Sequence, residues 1–294
     1  MSEFHSDRLV VVGVGLIGGS AAAALRRAGR VGHIIGVGRG RSNIERALEL
    51  GVIDEAVSDV GAAVKGADTV LLAVPVKQND SVLAALAQSL ETGTLVTDAG
   101  STKQDFAAAA RRWLPSHLAT TVPGHPIAGA EHTGVDAASP ILFQGKNVVV
   151  TPLPENSPDA VDRVSALWQV CGARITRMSA EHHDRIFSAV SHLPHMLAYS
   201  LVHMIAGRPD ARELFDFAAS GFRDFTRIAG SSPEMWRDIA LANKEALVAD
   251  LEAYQEQIAG LTERLKAADA AELERIFEAA RSARNAWLDR NQKR

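Results

Sequence analysis

Arg8-Leu-Val-Val-Val-Gly13-Val-Gly15-Leu-Ile-Gly18 is the stretch that decides the fold. Its apolar run has no polar alternation, so it reads as a parallel strand buried on both faces. Three glycines spaced G-x-G-x-x-G follow at once, and the small, Ala-rich residues 18–28 predict a helix. Each glycine has a physical task. Gly13 permits the tight turn, Gly15 lets backbone approach a pyrophosphate, and Gly18 lets helix and strand pack closely. The helix start then offers free N–H groups and a partial positive charge to phosphate. Gly13, Gly15, Leu16, Ile17 and Gly18 are therefore candidate cofactor contacts. A glycine turn with no ligand is the plain alternative.

The surroundings favour the ligand. Strand-like runs at 33–37, 69–74, 94–97, 120–122, 147–151 and 173–178 alternate with helical segments. That alternation predicts an α/β domain of Rossmann type, a parallel sheet with helices on both faces. Val74 and Pro75, which close the third run, join the cofactor candidates. Ser42 and Glu45 read as a capping box opening a helix. After about residue 179 strand signals stop and helical periodicity continues to the end. The expected division is a dinucleotide-binding domain at 1–178 and an all-helical substrate and dimerisation domain at 179–294. In the second part Leu247, Leu251, Tyr254, Ile258, Leu261 and Leu265 form one apolar seam. The seam packs either within its own subunit or against a second copy.

Bulk properties set limits. The chain has 294 residues, which suits two domains of about 150. It is 47% hydrophobic and 22% charged, with a net charge of −4 and no basic stripe, so nucleic acid is not expected as a partner. No apolar run approaches the roughly 20 residues that span a bilayer, and the start lacks a signal-peptide pattern. The single cysteine, Cys171, lies in an apolar stretch and cannot form an internal disulfide. These features lead us to expect a cytoplasmic protein without membrane contact.

Cofactor choice is written after the second strand, as Gly36-Val-Gly38-Arg39-Gly40-Arg41-Ser42. NAD sites usually carry a carboxylate there for the ribose 2′-hydroxyl. None is present. Arg39 and Arg41 can clamp a 2′-phosphate, and Ser42 can add a hydroxyl, so NADP is favoured over NAD. Solvated loop arginines are the other reading.

Three further segments narrow the reaction. Asp98-Ala-Gly-Ser101-Thr-Lys103 and Gly124-His125-Pro126-Ile-Ala-Gly129-Ala-Glu131 each follow a strand-like run, at the sheet edge where ligands bind in open α/β folds. The third runs from Gly221-Phe-Arg223-Asp224-Phe-Thr226-Arg227 to Trp236 in the helical part. With His192-Leu-Pro-His195, these segments resemble the prephenate and arogenate dehydrogenases (cyclohexadienyl dehydrogenases of tyrosine biosynthesis), over nearly the whole chain. The resemblance implies oxidative decarboxylation. Prephenate would give 4-hydroxyphenylpyruvate, and arogenate would give tyrosine. It implies His125 as the catalytic histidine, Ser101 as the serine orienting it, and Arg227 as the arginine holding substrate carboxylate. His195 matches a substrate contact, and Arg223 stands where the family also has lysine. It implies a homodimer as well.

Residue chemistry agrees independently. A ring alcohol must lose a proton while its carbon loses hydride, and neutral imidazole is the natural acceptor near pH 7. Ser188, His192, His195 and Tyr199 recur at four, three and four as a polar stripe, a candidate substrate wall interrupted by Pro194. His125 and Arg227 are expected to meet at one cleft. His192 and His195 lack a third ligand, so no metal is expected. His182 and His183 read as surface residues at a helix start, and Trp236 as core or dimer packing. Two other readings stand. One is a different two-domain dehydrogenase using Lys244 for proton transfer, and the other an NADP-holding redox sensor without chemistry.

Overall fold

Leu9 and Val11 point to one side of the first strand, Val10 and Val12 to the other, and all four are essentially inaccessible to solvent. Two apolar cores therefore flank one sheet, which is why the strand shows no alternation. Each such side chain contributes about 1.5–3 kcal/mol of burial. The computed structural model describes residues 4–38, 40–129 and 132–292.

The first layer runs β1 (Ser6–Val12), α1 (Leu16–Arg27), β2 (Val31–Val37), α2 (Arg41–Glu49), β3 (Glu55–Val57), α3 (Val60–Ala63), β4 (Thr69–Leu72), α4 (Asn79–Leu86), β5 (Leu95–Asp98) and α5 (Gln104–Trp113). Its five strands are parallel in the order β3-β2-β1-β4-β5. β3 gives no sequence signal because it is three residues long and not buried.

Beyond β5 the sheet does not simply continue. Thr121 makes one parallel bridge to Val96. The chain then turns into β6 (Gly124–Pro126), which pairs antiparallel with β7 (Asn147–Val150). After α6 (Pro158–Val170), β8 (Arg174–Arg177) pairs parallel with β7. The runs at 147–151 and 173–178 are strands as expected, but of a separate three-stranded mixed sheet. The capping box also fails. Gly40 is the N-cap of α2, Ser42 lies inside its first turn, and Glu45 pairs with Arg41 at 2.8 Å instead.

From α7 (Ala180–Phe187) onward every element is helical. A π turn, Ser188–His192, joins α7 to α8 (Leu193–Ala206). Pro194 lacks an N–H and frees the carbonyl of Val190, and the wider turn accommodates that loss. α9 (Ala211–Asp216), α10 (Ser220–Thr226) and α11 (Pro233–Ala242) follow, then α12 (Lys244–Lys266) and α13 (Ala270–Gln292). By compactness the chain divides after Lys244, so the sheet and α7–α11 form one unit and the last two helices most of another. None of the helices described is long and apolar enough to cross a membrane.

Candidate active site

The glycine turn is built as its spacing requires. Gly13 has φ +97°, and a Cβ there would stand 2.4 Å from the carbonyl oxygen of Ala73. A Cβ on Gly18 would stand 2.2 Å from the carbonyl oxygen of Gly13. At Gly15 a Cβ would meet nothing within 4 Å, so backbone faces open space. Leu16 and Ile17 form the first turn of α1, whose N–H groups lack helical partners. A cavity of about 520 Å³ opens beside this turn. Gly13, Gly15, Gly38, Asn43, Val74 and Pro75 are among its walls. These features fit a dinucleotide.

Cofactor residues predicted beyond the glycines divide. Val74 and Pro75 line the cavity, whereas Arg41 and Ser42 do not. Arg41 is 91% exposed and spends its Nε on Glu45, which the start of α2 at Arg41 brings one turn away. Arg39 lies outside the described residues. Sequence reasoning missed Asn43. Its Nδ2 donates to the carbonyl of Val14 at 2.6 Å, and its Oδ1 accepts from Val135 N–H at 3.1 Å, which pins α2 to the glycine loop.

His125 sits on β6, and its Nδ1 lies 2.8 Å from Nε2 of His183. His183 in turn places Nδ1 2.7 Å from Oδ1 of Asp184. His183 and Asp184 are both fully buried, one turn into α7 from its cap, Ser179. This corrects the surface reading of His183; His182 is the exposed one. Counting inward-facing positions from the Ser179 cap puts 183, 184 and 187 on one face, the signal that was available.

Asp184 also caps α5. Its two oxygens accept from the N–H groups of Lys103 and Gln104, each at 2.9 Å. Burial would raise its carboxyl, but the bonds from His183 and these N–H groups outweigh that and hold it below its ordinary value. An ionised Asp184 only accepts, so Nδ1 of His183 carries its proton and Nε2 is an acceptor. Nδ1 of His125 must then donate, which leaves the lone pair on Nε2 of His125. Burial, then His183, Lys103 and His192, push His125 well below its ordinary value. The imidazole is thus a neutral base with a defined tautomer.

Ser101 makes no hydrogen bond to His125 among the described residues; His183 occupies the partner's role the serine was expected to fill. Nor does Ser101 cap α5, since Asp184 does.

The polar stripe is split. A five-residue π turn interrupts the 3.6-residue period that the stripe assumes. Ser188 and His192 are buried, and Nδ2 of Asn243 lies 3.1 Å from Nδ1 of His192. His195 is part-buried. Its Nδ1 donates to the carbonyl of Ser191 at 2.8 Å, and its ring stacks on Trp236 with centroids 3.4 Å apart. Tyr199 donates to the carbonyl of Ser231 at 2.7 Å.

Arg227 is exposed where α10 ends, and it forms no ion pair with Asp224 among the described residues. Burial lowers His195 from its ordinary value, and the charge of Arg227 lowers it further. No direct contact joins Arg227 to His125. His192 and His195 both pack against Trp236, with ring centroids 6.0 and 3.4 Å apart. Arg223 is exposed on α10. Lys244 is exposed at the start of α12, outside the buried network.

Residues 21–177 match the description "Prephenate dehydrogenase, nucleotide-binding domain", and residues 179–279 match "Prephenate dehydrogenase, dimerization domain". A Bacillus subtilis (strain 168) protein named prephenate dehydrogenase is 39% identical over 281 residues, 95% of this chain and 76% of that protein. A cyclohexadienyl dehydrogenase from Zymomonas mobilis is 35% identical, over 94% of each chain. The crystal structure of A. aeolicus prephenate dehydrogenase with hydroxyphenyl propionate and NAD+ is similar with TM-score 0.87 and 34% identity, over 95% of this chain and 97% of that one.

Proposed function

This chain belongs to the prephenate dehydrogenase family, and from that premise we propose that it oxidatively decarboxylates prephenate, arogenate or both in tyrosine biosynthesis, using a nicotinamide dinucleotide. The observation that carries the reading is the contact chain from Nδ1 of His125 to Nε2 of His183 and from Nδ1 of His183 to Asp184, which leaves Nε2 of His125 as the acceptor.

Nε2 of His125 takes the proton of the ring hydroxyl as the ring carbon is oxidised. A nicotinamide dinucleotide, whose pyrophosphate Gly13, Gly15 and Gly18 would hold, would supply the hydride acceptor. The imidazolium that forms keeps its Nδ1–H on His183, with the Asp184 anion behind it. Departure of the ring carboxylate as carbon dioxide leaves its electron pair in the ring, which becomes aromatic. His125 then returns the proton to the phenol oxygen, so the reaction releases carbon dioxide and reduced cofactor with no net proton. Arg227 holds substrate carboxylate through its guanidinium fork, and His195 contacts substrate beside it. Ser101, just after β5, contacts the hydroxyl in this scheme.

Mixing the protein with prephenate or arogenate, each with NADP or NAD, tests the proposal. Nicotinamide reduction with equimolar carbon dioxide is expected. No reduction with either substrate would overturn it. Arg227→Ala is expected to raise KM about 10- to 100-fold with kcat changed far less, since bonds to a charged group contribute about 1.5–3 kcal/mol. Steady-state kinetics across substrate concentration checks this.

We infer NADP as the preferred oxidant. Support comes from the cavity wall beyond β2, which holds Gly38, Gly40 and Asn43 but no carboxylate. Arg39→Ala is then expected to reduce the NADP-to-NAD ratio of kcat/KM about tenfold or more, and an unchanged ratio would remove the inference.

We also propose the functional division at residue 178, a homodimer through the helical part, and a cytoplasmic setting. Ile258 and Leu265 of the α12 seam, 45% and 67% exposed in one chain, support the dimer. The single cysteine, Cys171, is buried, and that burial pushes its thiol up to about 12, which suits a reducing setting.

A further inference from the structure

We propose that Lys103 is a positioning residue for His125, its ammonium clamped between Asp98 and the carbonyl of Gly124 so that it fixes the peptide carrying the imidazole and keeps a cation behind it. This rests on the role of His125 as the base.

A lysine with no solvent exposure is rare, because an ammonium withdrawn from water must be fully paired. Lys103 is paired with Asp98, and its Nζ donates to the Gly124 carbonyl at 2.7 Å. Asp98 holds the same residue at its other end, accepting from Gly124 N–H at 3.0 Å, and it also takes the Gly100 N–H at 2.8 Å. The residue immediately before His125 is thus held at both its N–H and its carbonyl. Meanwhile the backbone N–H of Lys103 donates to Asp184. One residue therefore touches both ends of the Asp184–His183–His125 chain: its ammonium at the β6 end and its amide at the aspartate end.

Position alone does not require a charge, since two backbone groups could be met by a neutral amide. The charge has its own consequence. His125 is faced by His183 and Phe187 from α7, by His192 from the π turn, and by Lys103 from the loop before α5. Asp98 and Asp184 stand one contact further away. Among these neighbours Lys103 is the permanent cation, and it opposes protonation of the imidazole. The base therefore stays neutral into mildly acid solution.

Two variants test this, Lys103→Met and the double variant Lys103→Met with Asp98→Asn, which leaves no unpaired buried charge. Two readouts are followed against pH: kcat/KM with prephenate, and the titration of the His125 imidazole by NMR without substrate. Both variants are expected to move the acid limb and the imidazole titration upward by about one pH unit, with kcat lowered about tenfold or more. Lowered kcat with both titrations unmoved would make the pair a structural tie only and overturn the proposal, as would failure of both variants to fold. If the parent protein turns over neither prephenate nor arogenate, the functional reading fails, while the imidazole titrations still decide the role of Lys103.

Discussion

His125→Asn is expected to lower kcat by about 100-fold or more, with KM and cofactor affinity changed only a few-fold. Asparagine keeps a side-chain N–H that can reach His183, so the 2.8 Å contact has a substitute and the fold is preserved. What it lacks is a basic lone pair where Nε2 stands. The hydroxyl proton then has only solvent to go to, and the loss appears in the chemical step. Because burial and the groups around it push His125 well below its ordinary value, the parent's kcat/KM should fall on an acid limb below pH ~6.5. The variant should show no such limb. A variant retaining both full turnover and the acid limb would remove His125 from the reaction.

Asp184→Asn is expected to have the next largest effect, a drop in kcat of roughly 10- to 100-fold. The loss is smaller than for an aspartate bonded directly to the base in serine proteases, because another imidazole intervenes here. The amide that replaces the carboxylate can offer its N–H₂ to His183 and so admits the opposite tautomer along the chain, which would put a proton on Nε2 of His125. The same substitution weakens the cap on α5, where two N–H groups now bond a carboxylate. That costs about 1–3 kcal/mol at neutral pH. The sign with pH follows from the lowered carboxyl of Asp184. A group depressed in the folded state stabilises above its unfolded value and stops doing so as pH falls through its folded one. The difference in melting temperature between parent and variant should therefore shrink in acid below pH ~4. A difference that stays constant there would show that the charge of Asp184 does not act on stability.

Much of this arrangement was legible in the amino-acid order. The unbroken apolar run before Gly13 announces a strand covered on both faces, and the cores on either side of β1 are the reason. His125 follows a strand-like run at the carboxyl side of the sheet, where ligand sites collect. The errors have physical causes too. Ser42 and Glu45 have the right spacing for a capping box, but Gly40, with no side chain, takes the extended N-cap position two residues earlier. The stripe through Ser188 and His192 assumes a helical period that the π turn breaks. His183 reaches His125 across 58 residues of chain and Asp184 reaches Lys103 across 81, and no local period announces those contacts. A buried lysine and a buried histidine look like surface residues until the fold supplies their partners.

The most direct test of the account is the protonation state of His125 at neutral pH, read by nitrogen NMR on protein labelled in its histidines. The account predicts a neutral ring with hydrogen on Nδ1 and none on Nε2, and the signal should be lost on His125→Asn. An imidazolium, or a neutral ring protonated at Nε2, would contradict it, because the atom assigned to accept the substrate's proton would already hold one.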